Sequence, residues 1–514
     1  MSRRMTFRTG LATSLVAAAF TVSAAVEAFA QELRPGRIRV GMLADVNDFD
    51  PMAFLTVNFP TIKNLYDSLI EYTPEGRAVP NLAESWTIAP DNRSVTLTLR
   101  PDVKFHSGAP FDAEAVSATL RKAADPRAGK NVYPTMGIVQ DWTVIDTRTI
   151  RITLKNPAPT RQITDLLQFI SVIDPAAIET VSTRPVGTGP YVLAERAVGQ
   201  RVRLEANRAH WRANQPLSPE VVLTVFETDA AATAALESGA VDLVYGATGR
   251  SAVRLRAAGY QVVEGPGPLV QVFRINSTRG PFRNQTFRQA FNHLIDRASI
   301  LRVGYAGLGE VTALPWAPAS PAHDPSYAQR YAYDLDKARA LIRQSGMSQA
   351  EISNWKLLVN GGDEVLTRIS QIVQASLARV GISIELDLKQ GAEFIDALLT
   401  GKFDAVFGAI GNIQKFPTRL TTNSIYRTVN NPVLGEPHPH PEYVEAIRRV
   451  DTALGSEADV KAAYDNLNRV LIETAFGIPT NSYPIGLIVA SPRVGGFTLD
   501  IDNMLVARTL GFKP

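Results

Sequence analysis

The chain contains no cysteine. Disulfides, thiol nucleophiles, cysteine-ligated zinc, iron–sulfur clusters and lipid attachment through a cysteine are therefore excluded. Net charge is nearly absent as well. Lys plus Arg number 53 and Asp plus Glu 50, a formal +3. So small an imbalance is no polyanion-binding footprint, and nucleic acid is not an expected partner. Histidine is scarce, six in 514 residues. His106, His210, His293 and His323 are widely separated, and no His-Glu-x-x-His helix pattern occurs. His438 and His440 form a His-x-His pair between Gly435 and Pro441. It reads either as a proline-stiffened surface loop or as a metal site. Gly-x-Ser-x-Gly is missing, and Gly187-Thr188-Gly189 has no lysine in register for a phosphate loop. No residue is singled out as catalytic, and no cofactor is implied.

Long apolar runs are also missing, with one exception. Arg3, Arg4 and Arg8 precede an alanine-rich apolar stretch from Leu11 to Val26. Ala28-Phe29-Ala30 then presents small residues where a signal peptidase reads. This is a secretory signal layout, with cleavage expected after Ala30. The run is short and weakly apolar for a membrane span. Ser2-Arg3-Arg4 leaves Sec and twin-arginine export both open. The expected product is exported, periplasmic and monomeric.

What is present is an ordinary globular composition, 45% apolar and 20% charged, with length for about three domains. The body reads as α/β, and one unit occurs twice. Residues 235–246 and 397–408 each show a helix end, a glycine stop and a short apolar strand. Helix-forming runs precede both, at Asp229 to Glu237 and Glu393 to Leu399. Around the second copy, Trp355 to Val359 reads as a strand. Val365, Ile369, Ile372, Val373, Leu377 and Val380 follow at helical spacing, and Gly381 ends that helix. Ile382, Ile384, Leu386 and Leu388 alternate as a strand. Strand–helix–strand–helix–strand is a parallel α/β unit, and two copies predict two similar lobes. Residues from about 77 to 183 are mainly β. They include an alternating strand at Val95 to Leu99, a hairpin from Trp142 to Leu154 and one helix begun by Asp112. A helix is predicted from Gln285 past Phe291 and Ile295, and short strands from Phe476 to Pro514.

In open parallel sheets, ligands bind beyond the carboxyl ends of the strands. That rule selects Thr248 after the first repeated strand and the segment Ala409 to Phe416 after the second. It also selects Asn47, Phe49 and Asp50 after Ile38 to Met42, and Asn360 and Asp363 after the strand at Leu357. Asn276 stands near a crossing between lobes, and Trp316, in a proline-rich segment, is a candidate stacking surface. For each of these, a turn or packing duty is the alternative.

Ordered motifs then appear along the chain. They are Tyr66-Asp67-Ser68-Leu69-Ile70, Asn81-Leu82-Ala83-Glu84-Ser85-Trp86 and the stretch Leu99 to Gly108. Further along stand Gly187-Thr188-Gly189-Pro190-Tyr191, Asn207 to Trp211, Phe282-Arg283 with Arg288-Gln289-Ala290, and Tyr333-Asp334 to Leu341. This set closely resembles the family 5 extracellular solute-binding proteins, the dipeptide-, oligopeptide- and nickel-binding components of ABC importers. The resemblance implies a type II periplasmic binding fold with two α/β lobes, a hinge and an extra β-rich domain. Domain I would comprise residues 31–76, 184–274 and 482–514, domain II 77–183 and domain III 275–481. It implies a non-catalytic receptor that delivers a small solute to an inner-membrane ABC permease. Trp86, Phe105, Gly187, Gly189 and Pro190 are expected in packing or turn roles.

One segment departs from the family pattern. Peptide-binding members carry a stretch resembling Trp-Gly-Gly-Asp-x-Pro-Asp after the domain III strand, where an acid receives a peptide's amino terminus. Here Ile410 stands at the tryptophan position, Ile413 at the first acid and Phe416 at the second, with Asn412 between and Lys415 and Arg419 nearby. A peptide amine held by this loop is therefore not expected. A neutral or acidic solute, opine-like or a sugar conjugate, suits it better, although Asp363, Asp48 or Asp50 remains available as an acid. Nickel or metal-chelate uptake through His438 and His440 is the alternative ligand class, and a secreted hydrolase the alternative function.

Overall fold

The computed structural model describes residues 33–410 and 441–514, except 75, 266–268, 319, 476, 484–485 and 501. The signal segment, Asn412, Ile413, Phe416, Arg419, His438 and His440 lie outside the described residues.

The strand Ile38–Met42 is the centre of a seven-stranded sheet. Its residues IRVGM are almost wholly buried, as suits a strand covered on both faces. It pairs in parallel with Glu220–Val225 on one side and Leu243–Tyr245 on the other. The sheet continues through Arg201–Ala206 and Tyr191–Ala197 at one edge, and through Ile488–Ala490 and Gln261–Val263 at the other. A second sheet has five strands, in the order Glu385–Lys389, Lys356–Asn360, Ala405–Ile410, Leu269–Ile275, Gly477–Tyr483. Its first three strands run parallel and the last two pair antiparallel. The two lobes of the type II periplasmic binding fold are built on these sheets.

The repeated unit occurs once in each sheet. The helix Asp229–Glu237, capped by Thr228, is followed by Gly239 at φ +75° and the strand Leu243–Tyr245. The helix Gly391–Thr400 is followed by Gly401 at φ +67° and the strand Ala405–Ile410. Both glycines take the left-handed turn that ends a helix without steric cost. Between these units, Glu364–Ala378 packs Ile369, Val373 and Leu377 under the second sheet. There the aromatic core includes Phe273 and Phe407, whose ring centres are 4.4 Å apart.

A four-stranded antiparallel sheet, Ala83–Ile88, Ser94–Leu99, Thr149–Leu154, Val139–Asp146, forms the β-rich insertion. Its helix Ala113–Ala123 starts where Asp112 accepts from Ala115 N at 2.9 Å. Phe105 is buried, and Trp86 packs on the same core. The glycines of the Gly187-Thr188-Gly189 motif are demanded by close approach. A β-carbon at Gly187 would lie 2.2 Å from Leu65 O, and one at Gly189 2.4 Å from Leu65 C. Between them, Thr188 Oγ1 donates to Asp67 Oδ2 at 3.0 Å, as does Trp211 Nε1. Three of the family motifs therefore meet at one buried carboxylate.

Two expectations are corrected here. The long helix from Gln285 past Ile295 is two helices, Gln285–Leu294 and Arg297–Tyr305. Asp296 breaks it by capping the second through Ser299 N at 2.9 Å, and Ile295 turns extended. The crossing into the second lobe also comes earlier than 274. The last first-sheet strand there ends at Val263, and Leu269–Ile275 already belongs to the second sheet. Tyr483, expected just beyond the return crossing, is still paired with Leu269 in that sheet.

Candidate functional site: a cleft between the two sheets

Strand register brings the carboxyl ends of both sheets to one place. In the first sheet Met42 lies opposite Tyr245, and Tyr245 opposite Ile488. In the second, Val270 lies opposite Ile410 and Leu269 opposite Tyr483. There the chain encloses a cavity of about 390 Å³, lined from the first lobe by Met42, Tyr245 and Thr248 and from the second by Gln271, Tyr305 and Asp363. Apolar side chains, among them Leu43, Leu269, Leu366 and Leu487, make up much of the remaining wall.

Thr248 and Asp363 are the two expected residues that the structure brings together. Each caps a helix that begins at the cavity. Thr248 Oγ1 accepts from Ser251 N at 3.3 Å, opening Gly249–Ala257. Asp363 Oδ1 accepts from Val365 N and Leu366 N at 2.9 and 3.0 Å, opening Glu364–Ala378. Thr248 is itself held by Asp229, which accepts from its N–H at 2.9 Å and from its hydroxyl at 3.0 Å.

The tyrosines of the cavity carry no charge. Burial, reinforced by the Asp363 charge and by Tyr483, drives the Tyr305 phenol far above its ordinary value. Burial and the charge of Asp229 push Tyr483 up to about 12. The two rings are 4.7 Å apart, centre to centre. Tyr245 Oη donates to Asn503 O at 3.0 Å. Gly486, at φ +71°, passes so near this ring that a β-carbon would meet Tyr245 Oη at 2.5 Å.

Other expected residues are placed elsewhere. Asp50 is fully buried and paired with Lys122 at 3.2 Å and Lys130 at 3.0 Å. Lys130 also holds Asp48 at 2.6 Å. Both acids are thus compensated by cations of the β-rich insertion. Phe49 is buried, with the Arg196 guanidinium 5.8 Å from its ring centre. Asn47 is exposed, and its N–H donates to Asn58 Oδ1 at 3.1 Å. Asn276 lies at the opposite end of the second sheet, because Ile275 pairs with the first residue of Ala405–Ile410. Its Oδ1 accepts from Thr278 N and Oγ1, the duty of a turn. Asn360 Oδ1 accepts from Gly362 N at 3.2 Å and shapes the loop that presents Asp363. Trp316 is corrected most clearly. Its accessible surface is nil, it packs among helices Pro441–Asp451 and Glu457–Thr474, and its Nε1 donates to Asn468 Oδ1 at 2.7 Å.

Gln271, Tyr305 and Tyr483 were not foreseen. The available signals were a lone glutamine in the apolar strand LVQVFRI and a tyrosine closing each of two elements. A register shift between Gln271 and Val272 against Gly477–Tyr483 bends the strand where Gln271 meets the cavity.

Residues 77–430 match the family described as bacterial extracellular solute-binding proteins, family 5 Middle. The chain belongs to the family 5 solute-binding proteins. It is similar to the heme-binding protein A of Haemophilus influenzae, at 26% identity over 68% of this chain and 69% of that one. It is similar to the nickel-binding periplasmic protein of Escherichia coli K12, at 25% identity over 78% and 79%. Among solved structures, NikA from Brucella suis in complex with Fe(III)-EDTA aligns at a TM-score of 0.81 and 24% identity, covering 93% of this chain and all of that one. As a family 5 protein the chain is the solute-binding component of an ABC importer, and its cleft lies where the two sheets present their strand ends. Among the described residues, no helix is long and apolar enough to cross a membrane, and no group of three or more His, Asp or Glu is placed to hold a metal ion.

Proposed function

We propose that the cavity between the sheets is the solute site, and that the solute is a small peptide-like, opine-like or sugar-conjugated compound released unchanged to an inner-membrane ABC permease. The observation that carries this reading is the pairing of Thr248 and Asp363, one from each lobe, at the rim of one largely apolar cavity. Contacts from both lobes favour the closed arrangement, so capture needs closure and no bond chemistry. The substituted segment after Ala405–Ile410 speaks against a peptide amine held there. The working division is a signal segment 1–30 cleaved after Ala30, a first lobe from three stretches, an insertion at about 77–183 and a second lobe, acting as a periplasmic monomer.

Small-angle scattering with a compound library tests the reading. A bound compound should reduce the radius of gyration and be recovered intact by mass spectrometry. Turnover of the compound by pure protein would overturn the reading.

The nickel- and heme-binding relatives favour a second possibility, a metal chelate, with His438 and His440 as the local candidates. Metal-dependent quenching of tryptophan fluorescence, lost in the His438→Ala/His440→Ala variant, is the result that would establish it.

A further inference from the structure

The cavity wall has an unbalanced charge. Asp363 is the one charged side chain among the described lining residues. No described lysine, arginine or histidine forms an ion pair with it, and its hydrogen bonds to the helix Glu364–Ala378 use Oδ1, leaving Oδ2 without a protein donor among the described residues. The helix N-terminus offsets part of this charge. It does not remove the charge of Asp363, which is partly exposed at the cavity wall.

Two further polar groups on the same wall are unsatisfied. Gln271 and Tyr305 are each only 6% exposed. Gln271 Oε1 and Tyr305 Oη have no hydrogen-bond partner among the described residues. A buried polar group left unpaired is costly, so such groups call for a partner that arrives with the ligand. A carboxylate and an amide oxygen offer acceptors to a group rich in N–H bonds, and the phenol oxygen adds a further acceptor while its own O–H stays a donor. An ammonium carries three such donors and a guanidinium five. Tyr245, Tyr305 and Tyr483 line the same cavity, and aromatic rings are compatible with a cationic guest.

We infer that the cleft selects its solute through a positively charged nitrogen, an ammonium or guanidinium group, received by Asp363 with Gln271 and Tyr305. The inference rests on the receptor reading above and narrows it. It moves the acid that recognises the solute from the substituted segment 410–416 to the N-cap of Glu364–Ala378. It also reverses the preference for a neutral or acidic solute that the substituted segment suggested. A peptide amino terminus and any other amine share this recognition chemistry, and the test below separates the two sources.

The test is a thermal-shift screen of the full mature chain, followed by calorimetry of the hits. The compounds form four sets: dipeptides with free amino termini, non-peptide amines and guanidines, neutral N-acetyl dipeptide amides and sugars, and dicarboxylates that carry no amine. The expected hits fall in the first two sets, which separate the sources. Asp363→Asn retains a capping side chain and so the fold. It should weaken those hits at least tenfold while leaving the melting temperature of the free protein within about 2 °C. Tyr305→Phe should weaken them several-fold. Hits in the neutral or dicarboxylate sets that Asp363→Asn leaves unchanged would overturn the inference and keep the receptor reading. No hit in any set, with no scattering change, would overturn both.

Discussion

Gly249 lies against the carbonyl of Tyr305, so close that a β-carbon at position 249 would sit 2.7 Å from that oxygen. Gly249 opens the helix behind Thr248 in the first lobe, and Tyr305 ends a helix of the second. This is backbone touching backbone across the cleft, beside the cavity both residues line. A side chain there cannot be accommodated by a rotamer change alone.

Gly249→Val should therefore hinder closure without unfolding either lobe. Overpacking of this kind costs about 1–3 kcal/mol, and the cost falls on the closed state. Affinity for the best compound of the screen should fall about tenfold, and the scattering-derived radius should stay larger in its presence. A variant with unaltered affinity would show that this contact is not part of the bound state.

Asp67 contributes to stability in acid. Burial works to raise its pKa, but His210, Trp211 and Arg212 outweigh burial and hold it at about 2. The folded value is below the ordinary unfolded one near 3.8. The stabilisation is thus complete above about pH 4 and lost as pH falls through 2, amounting to about 2 kcal/mol. Asp67→Ala leaves Trp211 Nε1 and Thr188 Oγ1 without their buried acceptor. It should cost about 2–4 kcal/mol at pH 7 and less at pH 2. Denaturant titrations at the two pH values measure the difference.

Asp50→Ala removes the shared partner of Lys122 and Lys130. Breaking a buried ion pair from one side leaves uncompensated charge, and a loss of about 2–4 kcal/mol is expected. Asp48→Ala should cost less, because Lys130 keeps Asp50. Solute affinity should change less than twofold in either variant, as calorimetry would show. A large affinity loss in Asp50→Ala with unchanged stability would return this acid to the site.

Trp316→Phe separates packing from stacking. The change deletes the bond to Asn468 and part of a fully buried ring. Stability should drop by about 1–3 kcal/mol. Affinity should be unaffected, since the residue sits in the core below the helices Pro441–Asp451 and Glu457–Thr474.

Much of the fold is legible in local pattern. Apolar spacing, Asp112, and the stops at Gly239 and Gly401 located helices and strands to within a few residues. Of the residues selected by the strand-end rule, Thr248 and Asp363 line the cavity. The rule failed at Asp50, which sits in the right region but is claimed by lysines 72 and 80 positions further along the chain. It failed at Asn276, because strand direction in the second sheet is a matter of pairing. Trp316 failed for a related reason: proline-rich surroundings describe a backbone, and burial depends on what covers it.

The sequence by itself determined the lobes, their repeated unit and the family, since those follow from periodicity, caps, turn residues and ordered motifs, all local in the chain. Only the tertiary structure decided which side chains share the cavity. Gln271, Tyr305 and Asp363 come from three separate elements, and strand register and the meeting of two lobes, interactions between residues far apart in sequence, bring them to a common wall.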